Sequence, residues 1–387
     1  MTTWAVGYGK FPQVQFRRLF EPLSRPVPTG AEIVTAYTDG EVTLRSNRRL
    51  DGYHEAADLS GFQGVRAGDF VVHGLDILRG SVGVSDSDGA ISAVCTVCAP
   101  RGAIDPRFFA YAIRAQAYSG FPRAMARGIR EGGADFRRWD TLGELPLPLP
   151  PDTQQRAIAD YLDAETTRID ALAQLSKRQQ QLNSELMRTR IVSAMDRLAA
   201  VRGTIPLRRL VTCLDGRRVP LNAMERSTRQ GPYPYYGASG IVDHIDDYLF
   251  DETLVLLGED GAQLGDPTYP VAQVVVGKVW VNNHAHVLRP HADPAFLVFR
   301  LNTFDRMLVM SGSTREKITQ EDMGRIPVPN VPRAEQVQLA AELESGAERT
   351  TGLNEALQRR VDLLHERRQA LITAAVTGQL DIPGVAA

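Results

Sequence analysis

The chain has 387 residues, a length typical of two or three domains, and its 43% hydrophobic and 23% charged residues are ordinary for a globular protein. No apolar run approaches the roughly 20 residues that span a bilayer, and the N-terminal residues lack the basic and then apolar segments of a signal peptide. Three cysteines are too few for a disulfide scaffold. We therefore expect a cytoplasmic protein without membrane contact. The formal net charge of −2 means that any nucleic-acid contact must use local patches.

The first part of the chain alternates short β-branched runs with glycine-rich turns. Residues 65–73 predict a turn that leads into a strand, and residues 90–99 predict one further strand. A helix is predicted over 106–118, where proline occupies an early position, and a second short helix over 122–130. The basic stretch 123–138 is either a DNA-contacting patch or a solvated face.

A proline-rich segment then leads into a long helix. Four prolines within residues 145–151 exclude both a helix and a central strand there. A helix is predicted to begin at Asp152 or Thr153 and to continue to about Met195. Its apolar residues form one narrow stripe, which indicates a helical partner rather than a surrounding core. The stripe comprises Ile158, Leu162, Ile169, Leu172, Leu175, Leu182 and Leu186.

The same organisation follows a second time. Strands are predicted at 254–257, 273–276 and 279–281 after a turn-rich stretch at 232–237, and a helix at 294–308. A second long helix begins near Arg333. Its stripe comprises Leu339, Leu343, Leu353, Leu357, Val361, Leu364 and Leu371.

The two long helices are diverged copies of one segment. Residues 145–195 and 326–376 align at a constant offset of 181 without a gap, so that Gln155 corresponds to Gln336, and residues 14–19 resemble 205–210. Such a repeat implies an internal pseudo-two-fold, and duplex DNA is a common partner with matching symmetry. We predict that the long helices pair as an antiparallel coiled coil; two separate bundles or an intermolecular coiled coil are the alternatives.

Four motifs follow one another in the second half of the chain, at residues 233–242, 256–262, 281–288, and 312–318 followed by 326–329. In this order they resemble the specificity (S) subunit of type I restriction-modification enzymes. None is diagnostic alone, but four in order together with the duplication are specific, and the resemblance covers nearly the whole chain. The first half departs more, since its loop 132–137 lacks the Ser-Thr-Arg of the second copy.

The resemblance implies an α+β fold. Two globular α/β target-recognition domains, 1–145 and 200–326, would be separated by helical spacers at 146–199 and 327–387. These spacers would pair as an antiparallel coiled coil, and the whole would carry a pseudo-two-fold internal repeat.

The resemblance also implies a function. Each recognition domain would read half of an asymmetric, bipartite double-stranded DNA target, and the spacers would set the gap between the halves. The spacers would dock two methyltransferase (M) subunits, with restriction (R) subunits as further partners where the host has them. The chain itself would be non-catalytic and hold no cofactor, with S-adenosylmethionine on the M subunits. The leucines expected to bind partners are Leu162, Leu172, Leu182, Leu343, Leu353 and Leu364.

Several side chains of the second recognition domain suit contacts to bases. The amides of Asn282 and Asn283 and the hydroxyl of Ser239 match base edges, asparagine matching adenine especially. Hydrogen bonding within turns and strand ends is the alternative. Tyr235 and Tyr236 are expected either to pack on sugar or base or to belong to the core.

Other candidates suit the DNA backbone. Ser313, Arg315 and Lys317 lie on a glycine-led loop and match phosphate contacts, which position a protein without specifying sequence; a plain surface loop is the alternative. The remaining predicted DNA-binding residues are His73, Arg79, Arg130, Arg137, Arg138 and His284.

Other chemistries lack their motifs. His284 and His286 have no third metal ligand at suitable spacing, and Cys95 and Cys98 would point to opposite faces of a strand, so no metal site is predicted. There is no phosphate-binding loop, no amino-methyltransferase motif, and no compact nuclease spacing around Glu259. Two alternatives to a recognition subunit stay open: a standalone nuclease or methyltransferase fused to a coiled coil, and a scaffold that does not bind DNA.

Overall fold

The computed structural model describes residues 10–48, 59–119, 129–130, 133–260, 266, 268–306 and 317–382. The chain forms two compact units. The first comprises Met1–Ser176 and Arg359–Ala387, and the second comprises Lys177–Gln358. Each unit therefore contains one sheet-based domain together with a stretch of both long helices.

The first unit is built around a four-stranded antiparallel sheet in the order β2-β9-β6-β7, with two-stranded sheets β3-β4, β5-β8, β10-β11 and β1-β12. Its strands are β1 (Gln13–Gln15), β2 (Phe20–Pro22), β3 (Val34–Ala36), β4 (Val42–Leu44), β5 (Phe62–Val65), β6 (Phe70–His73), β7 (Val82–Val84), β8 (Gly89–Ser92), β9 (Cys95–Pro100), β10 (Ile129–Arg130), β11 (Gly133–Ala134) and β12 (Pro146–Pro148). Its helices are α1 (Phe16–Leu19), α2 (Pro106–Ser119), α3 (Trp139–Leu142) and the start of α4 (Asp152–Arg202).

The core of the first unit joins this domain to both long helices. Stacked rings of Phe20 and Phe70 lie beneath α2, with ring centroids 4.3 Å apart. Leu162 of α4 belongs to the same buried cluster, as do Ile372 and Val376 near the end of the second long helix. The domain and these stretches of the two long helices therefore share one hydrophobic core.

The second unit repeats the architecture, with four-stranded sheets β14-β21-β18-β19 and β16-β15-β20-β17 and the two-stranded sheet β13-β22. Its strands are β13 (Thr204–Pro206), β14 (Val211–Cys213), β15 (Gln230–Gly237), β16 (Gly240–Ile245), β17 (Phe250–Asp251), β18 (Leu254–Gly258), β19 (Ala272–Val275), β20 (Lys278–Val281), β21 (Ala285–Pro290) and β22 (Pro327–Pro329). Its helices are α5 (Ala223–Ser227), α6 (Pro294–Thr303), α7 (Gln320–Arg325) and the start of α8 (Arg333–Val376).

The sequence duplication is also a structural one. The proline-spaced leads form equivalent antiparallel pairs, with Val14 opposite Leu147 in β1-β12 and Ile205 opposite Val328 in β13-β22. Alternate prolines are tolerated because these two-stranded sheets leave one edge of each strand unpaired. Each pair fixes where the following long helix begins.

The long helices pair antiparallel within each unit. In the second unit, Gln180 contacts Asn354 and Arg202 contacts Glu335. Residues later in α4 therefore contact residues earlier in α8, as in an antiparallel pair. In the first unit, the guanidinium of Arg368 lies 3.1 Å from the carboxylate of Asp170. The predicted antiparallel coiled coil is confirmed.

The inward-facing positions follow a heptad that differs from the predicted stripe. On α4 they recur every three or four residues, and adding 181 to each gives an inward-facing position of α8. Near the middle they are small or polar. Leu175, Leu182 and Leu186, which were assigned to the pairing face, are 66%, 47% and 61% exposed, so that assignment was wrong. The inward positions of α4 are Gln155, Ala159, Leu162, Thr166, Ile169, Ala173, Ser176, Gln180, Asn183 and Met187.

Two local predictions are not confirmed. Residues 90–99 form two strands, β8 and β9, rather than one, because a turn at 93–94 separates them. The short helix predicted over 122–130 lies mostly outside the described residues, and its last two residues form β10. Among the described helices, none combines the length and the apolarity needed to cross a bilayer.

Candidate nucleic-acid interface

A hairpin tip and a strand end lie side by side in the second unit. Strands β15 and β16 meet at a tight turn, where Gly240 adopts a φ of +130° that disfavours other residues. Tyr236 of β15 pairs in parallel with Val281 of β20, and the backbone N–H of Asn282 donates to the backbone carbonyl of Tyr236 at 3.0 Å. The hairpin tip is thereby held next to the turn at 282–284.

The end of β18 completes the cluster. A β-carbon built on Gly258 would lie 2.8 Å from the carbonyl oxygen of Ala238, so only glycine allows the hairpin tip to approach this strand. The amide of Glu259 donates to the carbonyl of His284 at 2.9 Å, and Asp260 forms a β-bridge with Lys317. Described residues from all four motifs noted in the sequence therefore lie together here, the fourth motif through Lys317.

The exposed side chains of this cluster are predominantly hydrogen-bonding groups. Ser239, Asn283 and His284 are exposed, and the amide of Asn283 makes no hydrogen bond to another described residue. Nδ1 of His284 lies 2.9 Å from the carboxylate of Asp260. Two aliphatic side chains of the hairpin, Ile241 and Val242, are 53% and 58% exposed. We call Ser239, Ile241, Val242, Asn283, His284 and Lys317 the hairpin-end surface.

A buried charge network supports this surface. His286 is 1% exposed, with Nδ1 at 2.6 Å from the carboxylate of Asp215 and Nε2 at 2.9 Å from the carbonyl of Ile318. Both ring nitrogens of His286 therefore face hydrogen-bond acceptors. The carboxylate of Glu259 lies 2.7 Å from both Arg218 and Lys317. The network ties Lys317 and Ile318, which end the motif 312–318, to the central sheet.

Hydrogen bonding keeps both carboxylates of the network ionised. Burial acts to raise the pKa of Asp215, but hydrogen bonds from His286 and the Val287 amide outweigh it and bring the pKa below its ordinary value. Burial likewise acts to raise the pKa of Glu259, and its hydrogen bonds from Lys317 and Arg218 lower the pKa overall.

The same network contains three groups with metal-ligand chemistry. Ligand atoms of Asp215, Glu259 and His286 all lie within 4.8 Å of one another. Glu259 is already paired with two cations, and both nitrogens of His286 are engaged. A further cation would have to displace Arg218 and Lys317, so the described groups fit an ion-pair network rather than a metal site. Sequence analysis missed this network. His286 lies within β21 and is buried, whereas His284 lies in the turn before that strand and is exposed.

Two predicted DNA-contacting side chains are buried and hydrogen-bonded within the domain. Tyr235 is 1% exposed and its hydroxyl bonds to the backbone of Leu221, so it is the core tyrosine of the alternative interpretation. Asn282 is 9% exposed, and its Oδ1 accepts from the His284 amide at 2.8 Å, which is the hydrogen bonding within a turn that was the alternative for it. Tyr236 is half-buried, and burial raises its pKa.

Three further candidates fall where little is described. Ser313 and Arg315 lie outside the described residues. For Arg130 only the backbone is described, within β10.

The first-unit candidates form a second, smaller group. A β-carbon on Gly74 would lie 2.8 Å from Arg137 Cγ, so the residue after His73 packs directly against Arg137. Nδ1 of His73 accepts from the Asp76 amide at 3.0 Å, and burial lowers its pKa. Arg79 is largely exposed and its guanidinium lies 3.8 Å from Asp76.

The two arginines at the end of this group differ in their partners. Arg137 forms a two-pronged pair with Asp135, at 3.0 and 2.7 Å. Arg138 is exposed, and its side chain makes no hydrogen bond to another described residue.

The leucines predicted to bind partners divide into three kinds. Leu162 and Leu343 belong to the cores of their own units and so are unavailable, which corrects that prediction. Leu172 and Leu364 are half-buried. Leu182 and Leu353 are each 47% exposed.

Part of the chain is similar to known proteins. Residues 211–362 match the model of a family described as the type I restriction modification DNA specificity domain. A curated protein of Haemophilus influenzae (strain ATCC 51907 / DSM 11121 / KW20 / Rd), named as a type I restriction enzyme specificity subunit, is 30% identical over 142 residues. That match covers 36% of this chain and 36% of the relative, so the chain matches about a third of the relative's length.

Two solved structures share the fold over nearly the whole chain. One, from work on complex assembly and conformational transition of the type I R-M system, has a TM-score of 0.74 at 16% identity and covers 96% of this chain and 100% of its own. The other, the HsdS subunit from Thermoanaerobacter tengcongensis, has a TM-score of 0.52 at 17% identity and covers 96% and 98%.

These findings define a class of protein with two sheet-based domains and two long paired helices, as predicted. Residues 211–362 are similar to the type I restriction modification DNA specificity domain, and all four motifs that carried the resemblance lie within them. The resemblance to specificity subunits of type I restriction-modification enzymes is confirmed.

Proposed function

We propose that this chain is the DNA-recognition subunit of a type I restriction-modification complex and that it reads an asymmetric, bipartite target. The observation that carries the proposal is the hairpin-end surface, which lies within the family match and gathers exposed hydrogen-bonding side chains at one end of a rigid sheet. Loops positioned by a rigid scaffold are the usual place for such binding groups.

The surface has the chemistry that base reading requires. The unpaired amide of Asn283 matches the donor and acceptor of adenine, and the exposed aliphatic groups of Ile241 and Val242 match the methyl group of thymine. Lys317 and His284 provide cations for phosphates, which position the protein on the duplex. The network of Asp215, Glu259 and His286 would keep these groups at fixed positions.

The two units would read different half-sites because their equivalent strand ends carry different side chains. Strand β18 ends in the second unit at Gly258, with Glu259 and Asp260 following. The equivalent β6 of the first unit ends at His73, beside Arg137. A duplex target whose halves have unrelated sequences follows from this difference.

The long helices would supply the docking surfaces for two M subunits and, in a complete system, for R subunits. In the second unit, Leu182, Leu186 and Leu353 of the long helices are exposed. Leu182 and Leu186 lie one turn apart on α4 and form an apolar patch, which suits an interaction surface. The chain would contribute no catalytic group, and S-adenosylmethionine would be bound by the M subunits.

The proposal is tested by methylome sequencing of a methyltransferase-deficient host. One strain carries this chain with its neighbouring M subunit, and the control strain carries the M subunit alone. A bipartite, asymmetric methylated motif in the first strain only is the expected result. If the M subunit is active and bound to this chain yet no motif appears, the scaffold alternative holds; methylation or nicking by the purified chain alone would support the enzyme alternative.

A further inference from the structure

An arginine of the first unit is held by a carboxylate along one edge only. Nε and Nη2 of Arg137 donate to the two carboxylate oxygens of Asp135 at 3.0 and 2.7 Å. The N–H groups of a guanidinium lie in one plane and point in fixed directions, so the edge formed by Nη1 and Nη2 keeps a parallel pair of donors. Nη1 makes no hydrogen bond to another described residue, and the side chain is 48% exposed.

The segment that carries this pair is fastened to the domain. The backbone N–H of Phe136 donates to the carbonyl of Gly74 at 2.8 Å, and the Phe136 ring is fully buried in the core. Trp139 begins α3 soon afterwards. Oδ1 of Asp135 also accepts from the backbone N–H of Arg137 at 3.1 Å, so the carboxylate is held by the segment itself. These contacts restrain both the guanidinium and its partner.

The pair carries no net charge, which distinguishes it from a group that binds phosphate. Hydrogen bonds from the side chain and the backbone of Arg137 lower the pKa of Asp135 to about 2, so its carboxylate is ionised at neutral pH. An ionised carboxylate beside the guanidinium repels a phosphate group but not the edge of a neutral base. The neighbouring Arg138 has no such partner among the described residues and suits a phosphate contact.

The second unit has the opposite charge at the equivalent position. There the backbone N–H of Ile318 donates to the carbonyl of Glu259, the residue after β18, as Phe136 donates to Gly74, the residue after β6. The residue before Ile318 is Lys317, whose ammonium lies 2.7 Å from the carboxylate of Glu259. The first unit thus has a carboxylate where the second has an ammonium, and this carboxylate holds an arginine in place.

His73, which ends β6, is a second donor at this strand end. Its Nδ1 accepts from the backbone N–H of Asp76 at 3.0 Å, and burial lowers its pKa, which favours the neutral ring. A neutral imidazole whose Nδ1 accepts a hydrogen bond carries its proton on Nε2. His73 and Arg137 therefore both have donors without an acceptor among the described residues, and a base edge made of acceptors matches them.

Guanine has two neighbouring acceptors, N7 and O6, on its major-groove edge, and a parallel pair of arginine donors matches them. We propose that Arg137 reads a guanine of the first half-site through Nη1 and Nη2, and that Asp135 is the positioning residue that fixes the guanidinium. This assignment rests on the proposed function, because it requires that the first unit binds duplex DNA. It adds a base to that function: the half-site bound by the first unit contains a G·C pair that Arg137 contacts.

The test measures the affinity of the full chain, in complex with its M subunits, for the duplex target found by methylome sequencing and for each single-base variant of that target. In Arg137→Gln, discrimination should fall about 5- to 150-fold at one G·C pair and stay unchanged at the other positions. Arg137→Lys keeps the charge but loses the parallel pair of donors, so it should lose the same discrimination.

Two neighbouring residues provide the comparison between reading a base and attracting a phosphate. Arg138→Gln, the matched control, should weaken binding to all sequences alike and reduce the slope of log affinity against log salt by about one, whereas Arg137→Gln should leave that slope unchanged. Asp135→Asn removes a negative charge, so it should raise the affinity for unrelated DNA. It should nevertheless reduce discrimination at the same G·C pair, because the guanidinium is no longer fixed. A purely structural role of Asp135 would not produce these opposite changes.

Three outcomes would overturn the assignment and leave the proposed function intact, because the wild type would still select its bipartite target. Uniform weakening in Arg137→Gln with a lower salt slope would make Arg137 a phosphate contact. A loss of discrimination at an A·T pair, or in the half-site at which Asn283→Ala acts, would give Arg137 a different base or place it on the other half-site. Full discrimination in both Arg137 variants would mean that it reads no base. A wild type without any sequence preference would instead overturn the proposed function and this assignment together.

Discussion

Gln155 and Gln336 make the same pair of hydrogen bonds in the two halves of the chain. Gln155 donates to the carbonyl of Pro150 at 2.8 Å and accepts from the Asp105 amide at 3.0 Å. Gln336 donates to the carbonyl of Val331 and accepts from the Asp293 amide, both at 2.9 Å. Both side chains are buried. One glutamine thus joins the start of each long helix to the helix of its domain.

We predict that Gln336→Leu lowers the free energy of unfolding by about 2–6 kcal/mol. The substitution leaves a buried N–H and a buried carbonyl unpaired, at about 1–3 kcal/mol each. Chemical denaturation measures the loss, and Gln338→Leu, on an exposed face of the same helix, serves as the matched control. A loss no larger than that of the control would mean that the two bonds do not hold the helix to its domain.

Asn283→Ala is predicted to relax specificity at one base pair of the second half-site by about 1–3 kcal/mol, while leaving stability within about 0.5 kcal/mol. The side chain is exposed and makes no bond to another described residue, so the fold does not depend on it. Affinities for a panel of single-base variants of the target measure the effect. Uniform weakening across the panel would instead make Asn283 a positioning residue.

The neighbouring Asn282 provides the matched comparison. Asn282→Ala removes the acceptor of the His284 amide, so it should weaken binding to all sequences and lower stability by about 1 kcal/mol. Two adjacent asparagines should therefore give opposite patterns, one in specificity and one in stability.

The exposed leucines of the long helices are predicted to bind a partner without contributing to folding. Leu182→Glu combined with Leu186→Glu should weaken binding of the M subunit at least about tenfold and change stability by less than about 1 kcal/mol. Leu343→Ala should instead cost about 2–5 kcal/mol of stability, because it opens a cavity in the core. Pull-down titration against the M subunit and denaturation of each variant separate the two effects; unchanged M binding in the glutamate variant would rule out this face.

The buried network predicts a pH dependence. The pKa values of Asp215 and Glu259 in the folded protein are below their ordinary values, so the ionised carboxylates contribute stability at neutral pH. This stability is lost as the pH falls below 4.5, the ordinary pKa of Glu259, and through the lower pKa values of the folded state. Glu259→Gln should therefore be less stable than the wild type at about pH 7, and the difference should shrink toward about pH 3. Denaturation across this range, with the exposed Glu344→Gln as control, measures it. A difference that does not change with pH would contradict the prediction.

The sequence was sufficient for the architecture because the repeat and the helical period are properties of long segments. It misplaced the middle of the pairing face because leucine was assumed to face inward. In the structure Ser176, Gln180 and Asn183 face inward, and Asn183 bonds to Asn354 at 3.1 Å. A polar pair at such a position fixes the register of a coiled coil, and hydrophobicity alone cannot reveal it.

The site was harder to predict than the fold because neighbouring residues in a strand or turn face different environments. Asn282 and Asn283 have the same chemistry, yet one closes a turn and the other is free of bonds to described residues. Which of them faces outward depends on the parallel pairing of Tyr236 with Val281, a contact between distant segments that no local pattern shows.

The order in which the two units can fold follows from how the chain is divided between them. The second unit is one uninterrupted stretch, Lys177–Gln358, so every part of it has been made soon after its last helix begins. The first unit needs Ile372, Val376 and Ile382 to close its core, although most of that unit is translated first. During synthesis the amino-terminal domain must therefore wait with its apolar surface open, and the later domain reaches its native state earlier. A stalled nascent chain in which Gln358 has left the ribosomal exit tunnel while Ile372 is still inside it should carry a protease-resistant second unit and a protease-sensitive first one.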